Sequence, residues 1–311
     1  AVDSGRSEFG VREEEGMGRE ARGPRHGRPG EPQTTAGFLK NNSAYILSAV
    51  GVVVIVVLMI VFIRACAPQG KVEDKQQDNG VHVTPYNWDN LDRTGGRYSY
   101  VVDGKVKSKV GIDVSESQQW IDWNAVAGDG IDFAMIRLGY RGATEGELYL
   151  DEYFTYNLES AKEAKVDCGV YFFSQARTVD EAIEEADYVI KQLNGVKLEY
   201  PIAFDSEVLV VGERPPRTAD LSDDEMTDIA EAFCKRVEQA GYQSMGYGNR
   251  YDVSRYDYER VNEINLWWAE YDEPYPSVQV DLFMWQYAND GEVAGIDTAV
   301  DMNLDLSRAL D

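Results

Sequence analysis

From Gly169 to Glu207 the chain reads GVYFFSQARTVDEAIEEADYVIKQLNGVKLEYPIAFDSE. Gly169–Ser174 is an apolar run of strand length. Thr178 followed by Glu181 is a capping-box pattern and opens a helix. Ala182, Ile183, Ala186, Val189, Ile190 and Leu193 then recur at helical spacing as one apolar stripe, which Gly195 closes. Ile202–Phe204 is the next strand. Two apolar strands joined by an amphipathic helix are the repeating unit of a parallel sheet. The second strand runs into Asp205-Ser206-Glu207. Side chains alternate along a strand, so the two acids point the same way, with Cα atoms roughly 7 Å apart.

The pattern extends in both directions. Upstream, Val110–Val114 reads as a strand, Trp120–Ala127 as a short helical stretch, Phe133–Leu138 as a strand and residues 151–165 as a helix. Downstream, Ser222 and Glu225 repeat the capping box. Met226, Ile229, Phe233 and Val237 form the stripe up to Gly241, and Ser244–Tyr247 is a strand. After that the helices shrink or vanish. Leu266–Ala269, Leu282–Trp285 and Val293–Val300 follow one another through short turns containing Pro or Gly. Eight strands and about five helices predict an α/β fold over residues 110–311: a closed, mostly parallel barrel whose last part lacks its helices. Residues 97–110 read as a hairpin around Asp103-Gly104 that leads into the barrel.

The N-terminal part differs in kind. Residues 1–43 are rich in Gly, Arg, Glu and Pro, with almost no apolar residue before Phe38, the composition of a disordered segment. Residues 44–63 are apolar, and no charge interrupts the chain between Lys40 and Arg64. That is long enough to cross a bilayer core of about 30 Å as a transmembrane helix. The preceding segment is too long for the n-region of a cleaved signal peptide, so an uncleaved signal anchor is expected, with residues 1–43 cytoplasmic. Arg22, Arg25, Arg28 and Lys40 on one side and Arg64, Lys71 and Lys75 on the other leave the orientation undecided by charge. Residues 64–96 read as a linker.

The net charge is −25, and the acidic excess falls beyond residue 70. Nucleic-acid binding needs cations that displace counterions, so a barrel this acidic argues against it. Cys66, Cys168 and Cys234 form neither a disulfide framework nor a CxxC site. Only two histidines occur, His26 and His82, both ahead of the barrel. A Ser-His-Asp triad, a Cys-His pair and His-ligated zinc are therefore excluded from it. Acid–base chemistry falls to carboxylates, Tyr or Lys. No cofactor and no metal are expected, and the chain is expected to be a monomer.

In a β/α barrel, functional groups gather at the C-terminal ends of the strands. Acids recur there: Asp113 after Val110-Gly-Ile, Asp205 and Glu207 after Ile202-Ala-Phe, and Asp301 after Ala299-Val300. Four carboxylates would converge on one mouth. Like-charge crowding and burial raise the pKa of such groups. A neutral Glu beside an ionised Asp is the acid that glycosidic bond cleavage needs. The plain alternative is solvated loop acids, since the chain holds 55 acidic residues. A Mg²⁺ or Ca²⁺ site is the other. Tyr140, Tyr171, Tyr247, Trp267, Trp268, Tyr271, Trp285 and Tyr287 lie in or just after strands, where sugar rings stack, although Trp and Tyr also fill barrel cores.

These residues carry a resemblance. Gly111-Ile-Asp-Val-Ser115, Gln118, Ile121-Asp-Trp123 and Ile131-Asp-Phe-Ala-Met-Ile-Arg-Leu-Gly-Tyr140 resemble the opening of glycoside hydrolase family 25 lysozymes. Gly169–Ser174, Tyr200–Glu207, Trp285-Gln-Tyr287 and Val300-Asp-Met-Asn303 continue it in order. The resemblance implies a (β/α)5β3 barrel and N-acetylmuramidase activity on the β-1,4 bond of peptidoglycan. It implies Glu207 as the catalytic acid, Asp205 as the partner of the substrate's 2-acetamido group, and Asp113 and Asp301 as supporting acids. Tyr171, Tyr247, Trp267, Trp285, Gln286 and Arg137 are the expected substrate contacts. A barrel outside the cell follows, because peptidoglycan lies there. The mechanism so implied is retaining, with either the acetamido oxygen or Asp205 as nucleophile. One departure is visible: the family has Gly after the Gln of its first motif, and here Gln119 and Trp120 follow Gln118. A chitinase-type barrel is disfavoured, since its DxDxE motif needs an acid where Ala203 stands. The rivals are a non-catalytic wall-binding domain and a hydrolase of another N-acetylated glycan.

Overall fold

A computed structural model describes residues 84–208, 217–257, 260 and 264–311. The chain divides into two units, Ala1–Gln77 and Asp78–Asp311, and the described residues belong to the second. The expected disordered segment and membrane span, residues 1–43 and 44–63, lie outside the described residues. Among those described, no helix is long and apolar enough to cross a membrane.

A small antiparallel sheet comes first: β1 (Leu91–Asp92), β2 (Ser99–Val102) and β3 (Lys105–Val106). The expected hairpin is present. Asp103 and Gly104 both take positive φ, 50° and 73°, as a two-residue turn between twisted strands requires. Its second arm is shorter than expected, because Lys109 and Val110 already belong to β4 (Lys109–Val114). Residues 84–96, read above as linker, are part of the fold. The Tyr86 hydroxyl donates to the Leu282 carbonyl at 3.0 Å and accepts from the Leu282 amide at 2.9 Å. Tyr98 stacks on Tyr287 at 4.1 Å, and Trp88 meets Trp285 edge-on. These aromatics cover a flank of the barrel where no helix follows the strands.

The barrel strands are β4, β5 (Phe133–Arg141), β7 (Asp167–Phe173), β8 (Ile202–Asp205), β9 (Ser244–Gly248), β10 (Leu266–Ala269), β11 (Met284–Gly291) and β12 (Val300–Asp305). They pair in the order β4-β12-β11-β10-β9-β8-β7-β5, and β5 returns to β4 to close the ring. β6 (Leu148–Leu150) is an antiparallel edge strand on β5. The pairs from β4 through β5 to β11 are parallel, whereas β12 runs antiparallel to both its neighbours. The last strand was expected at Val293–Val300 and lies instead at Val300–Asp305. Gly295 takes φ +91°, and a Cβ there would come within 2.4 Å of the Asp122 carbonyl. That stretch is a largely exposed turn from which Val293 and Ile296 reach into the core from outside a strand.

The helices are α1 (Trp123–Gly128), α2 (Phe154–Glu163), α3 (Val179–Leu193), α4 (Asp223–Gln239) and the short α5 (Arg250–Val253). α4 carries the full capping box of Ser222 and Glu225. α3 carries half of one. The Thr178 hydroxyl accepts from the Glu181 amide, but the Glu181 carboxylate accepts from the Arg177 amide and pairs with Arg217. Asn194, in the left-handed region ahead of Gly195, ends α3. The apolar faces of these helices pack on outward strand residues such as Ile136, Val170 and Phe204. A second cluster fills the barrel itself: Phe133, Met135, Tyr200, Ala203, Met245, Trp267 and Met284. Gly111 leaves room for it, since a Cβ there would lie 2.3 Å from the Phe133 ring.

Candidate active site

Alternation along each strand sets the next inward layer. Above Gly111, Gly169, Ala203, Met245 and Met284 come Asp113, Tyr171, Asp205, Tyr247 and Gln286. Asp301 joins them from β12, paired directly with Asp113. It lies near the beginning of its strand rather than at a C-terminal end, and reaches the same mouth because β12 is reversed. Asp205 is the last residue of β8, so Glu207 stands just beyond the strand. The Asp205 carbonyl accepts from the Ser174 amide at 2.7 Å, and the Glu207 carbonyl from Gln175 Nε2 at 3.4 Å. Asp113 and Asp205 are buried; Glu207 and Asp301 are half-buried.

A hydrogen-bonded chain orders the floor. Trp267 Nε1 donates to Asn303 Oδ1 at 2.8 Å, and Asn303 Nδ2 donates to Asp113 Oδ2 at 2.8 Å. Gln286 Nε2 donates to the same oxygen at 2.8 Å. Its own Oε1 accepts from the Tyr247 and Tyr271 hydroxyls at 2.9 and 2.5 Å. Indole N–H is only a donor, so the orientation of Asn303 is fixed, and Asp113 Oδ2 is left as acceptor. A proton on Asp113 would therefore sit on the other oxygen. Burial and the neighbouring Asp301 hold the Asp113 pKa well above the ordinary range. Burial also raises Asp301, while the hydrogen bond from Asp113 lowers it. Two carboxylates so placed, the one raised and the other lowered by the hydrogen bond between them, are set to share a proton.

On the opposite wall, burial followed by the charges of Glu207 and Asp252 raises Asp205 well above its ordinary value. Asp205 Oδ1 is buried with no hydrogen-bond partner among the described residues. Glu207 is raised to about 7, by burial first and then by Asp252 and Asp301. Asp252 was not anticipated. It is 3% exposed, on α5, and its carboxylate accepts from the backbone N–H groups of Asn249 and Val208. It ties down the residue after Glu207 and faces both acids. The signal was the box Asn249-x-x-Asp252 directly after a barrel strand.

The other expected contacts divide. Tyr171, Tyr247 and Gln286 lie in the acid layer. Arg137, at the same level of β5, donates Nε to Asp151 at 2.8 Å, and its NH2 forms an ion pair with Glu116 at 3.1 Å. The two indoles are corrected. Trp267, 1% exposed, is the interior floor beneath Tyr171 and Tyr247. Trp285, 0% exposed, points out of the barrel, under Tyr98 and Tyr287, with Nε1 on the Glu270 carbonyl. Its residue type suited stacking, but its place on the strand faces the wrong side. Among the described residues, no group of three or more His, Cys, Asp or Glu is arranged to hold a metal ion.

Residues 112–296 match the family model of glycosyl hydrolases family 25. The chain is a glycoside hydrolase by fold and family. It belongs to glycosyl hydrolases family 25. It is 26% identical over 202 residues to the autolytic lysozyme of Clostridium acetobutylicum, covering 62% of this chain and 54% of that protein. It is 30% identical over 204 residues to the uncharacterized protein YegX of Escherichia coli strain K12, covering 62% and 68%. Among solved structures, the modular autolysin LytC from Streptococcus pneumoniae superposes with a TM-score of 0.57 at 23% identity, over 69% of this chain and 52% of that chain. The chain thus spans about half the length of the autolytic lysozyme and of LytC.

Proposed function

We propose that the barrel hydrolyses the β-1,4 bond between N-acetylmuramic acid and N-acetylglucosamine in peptidoglycan, with Glu207 as general acid and then base. The observation that carries this is the pairing of a half-buried Glu207, raised to about 7, with a buried Asp205 whose Oδ1 has no partner among the described residues. Near neutral pH a large share of Glu207 holds its proton, ready for the leaving glycosidic oxygen. Asp205 also holds its proton well above the ordinary range, which makes it a poor nucleophile. This favours the substrate's acetamido oxygen as the group that attacks the anomeric carbon, with Asp205 accepting the acetamido N–H through Oδ1. Glu207 then takes a proton from the water that opens the intermediate, and configuration is retained. Asp113 and Asp301, set to share a proton, line the far side of the mouth. The relatives' names, autolytic lysozyme and autolysin, support the same substrate.

The test is the sugar at the new reducing end when the 311-residue chain digests purified peptidoglycan. Muramic acid is expected; glucosamine overturns the reading. Wall binding without new reducing ends would favour the non-catalytic rival. The same proposal includes a monomeric enzyme anchored through residues 44–63 with its barrel outside the cell. Protease added to intact cells should then degrade the barrel, and a fully protected barrel would rule this out.

A further inference from the structure

The departure at Gln119-Trp120 has a structural counterpart. Gln119 takes φ 56° and ψ −131°, a backbone conformation that favours glycine, and so turns Trp120 outward. Trp120 is 67% exposed, the most open tryptophan among the described residues. Its indole is nevertheless fixed. Tyr156 meets it at 4.3 Å and 73°, Tyr153 at 5.7 Å and 88°, and the Tyr156 hydroxyl is itself held by the Ile121 carbonyl at 2.7 Å. Beneath Trp120 a groove of about 700 Å³ runs between α1 and α2. Asp122, Asn124, Ser160, Glu163 and Asp297 supply its polar groups, and no Lys or Arg among the described residues lines it.

We propose that this groove is a second saccharide-binding site, outside the acid-lined mouth, that holds a neighbouring stretch of the glycan; this rests on the reading of the mouth as a glycan-cleaving site. A held indole beside amide, hydroxyl and carboxylate groups matches the apolar face and the hydroxyl rim of a pyranose. Carboxylates without cations exclude a phosphate-rich polymer. A cationic peptide is the competing occupant, but exposed carboxylates give such a partner little beyond screened attraction. The groove is lined in part by the segments that lead out of β4 and into β12, the strands that carry Asp113 and Asp301. Residues 115–119 leave β4 directly after Asp113, and Gly295 and Asp297 precede Asp301. Gln118 Nε2 donates to the Ala299 carbonyl at 3.4 Å and ties the two segments together.

The experiment is co-sedimentation of the 311-residue chain, blocked by Glu207→Gln, with cell-wall glycan stripped of its peptides. Adding Trp120→Ala should weaken binding about tenfold at both low and high salt, and Trp120→Tyr should restore most of it. Asn124→Arg, which obstructs the groove without touching the indole, should give the same loss. Unchanged binding in Trp120→Ala overturns the proposal. So does a loss that appears only with peptide-bearing walls and vanishes at high salt, which assigns the groove to a cationic peptide. Reducing-end release by the unblocked chain is scored separately. If none is released while Trp120→Ala still loses glycan, the mouth reading fails and the groove stands.

Discussion

In the proposed mechanism, Glu207 and Asp252 together set the pH at which the mouth works. Glu207 must be protonated to serve as the acid, and with a pKa of about 7 its activity should decline as pH rises through that value. Neutralising Asp252 removes a charge that pushes Glu207 upward. Asp252→Asn should therefore move the alkaline limb of kcat/KM to lower pH, and an unmoved limb would show that Asp252 acts only on the loop. Glu207→Gln should cost about 10²–10⁴ in kcat, the usual worth of a general acid. Beneath them, Asn303→Leu would leave the Trp267 N–H unpaired and remove one of the two amides on Asp113. Each buried group so orphaned costs about 1–3 kcal/mol, so urea denaturation should find a stability loss of about 2 kcal/mol or more. The four mouth acids were legible because barrel topology tells where acids matter. Asp252 was not, because a helix cap and a charge that tunes a neighbour look alike in sequence. Trp285 was misread because residue type says nothing about which face of a strand a side chain takes.

Among the elements, helices announced themselves through caps and stripes, and strands through apolar runs. Ser222→Ala removes an N-cap whose box is complete and should cost about 1 kcal/mol in thermal or chemical denaturation. Thr178, with half a box, is the natural comparison. The last strand was misplaced because Val293, Ile296 and Val300 are all buried apolar residues, and burial alone does not separate a strand from a plugging turn. Gly295 held the answer. Gly295→Ala forces a side chain into positive φ and against the Asp122 carbonyl, and should destabilise by about 2 kcal/mol or more, a loss that Gly128→Ala should not reproduce. The reversal of β12 was not legible either. No pattern of apolar residues distinguishes a parallel from an antiparallel last strand when its connection is short.

For the molecule as a whole, the raised acids fix how stability depends on pH. Glu207 and the buried Glu185, paired with Arg141 at 2.7 Å, are both raised to about 7, largely by burial. The folded chain thus binds more protons than the unfolded chain between about pH 4.5 and 7, and stability falls as pH rises through that window. Glu181 acts in the opposite sense. Arg217 lowers it to about 2, so its contribution is lost only as pH falls from about 4.5 toward 2. A melting temperature higher at pH 5 than at pH 8 is expected by calorimetry, and the reverse order would contradict this balance. The barrel over residues 110–311 was legible as a count and alternation of elements, whereas the aromatic cover from residues 84–96 was not, since a short polar stretch with scattered Tyr and Trp gives no period to read. Asp113 is on the first barrel strand and Asp301 on the last, so the ring and this carboxylate pair exist only once both ends have met. A ribosome must release Val300–Asp305 before β4 and β12 can zip, and a chain cut before Val300 has neither a sealed wall nor Asp301. The four-acid mouth is thus assembled only after the last barrel strand has left the ribosome.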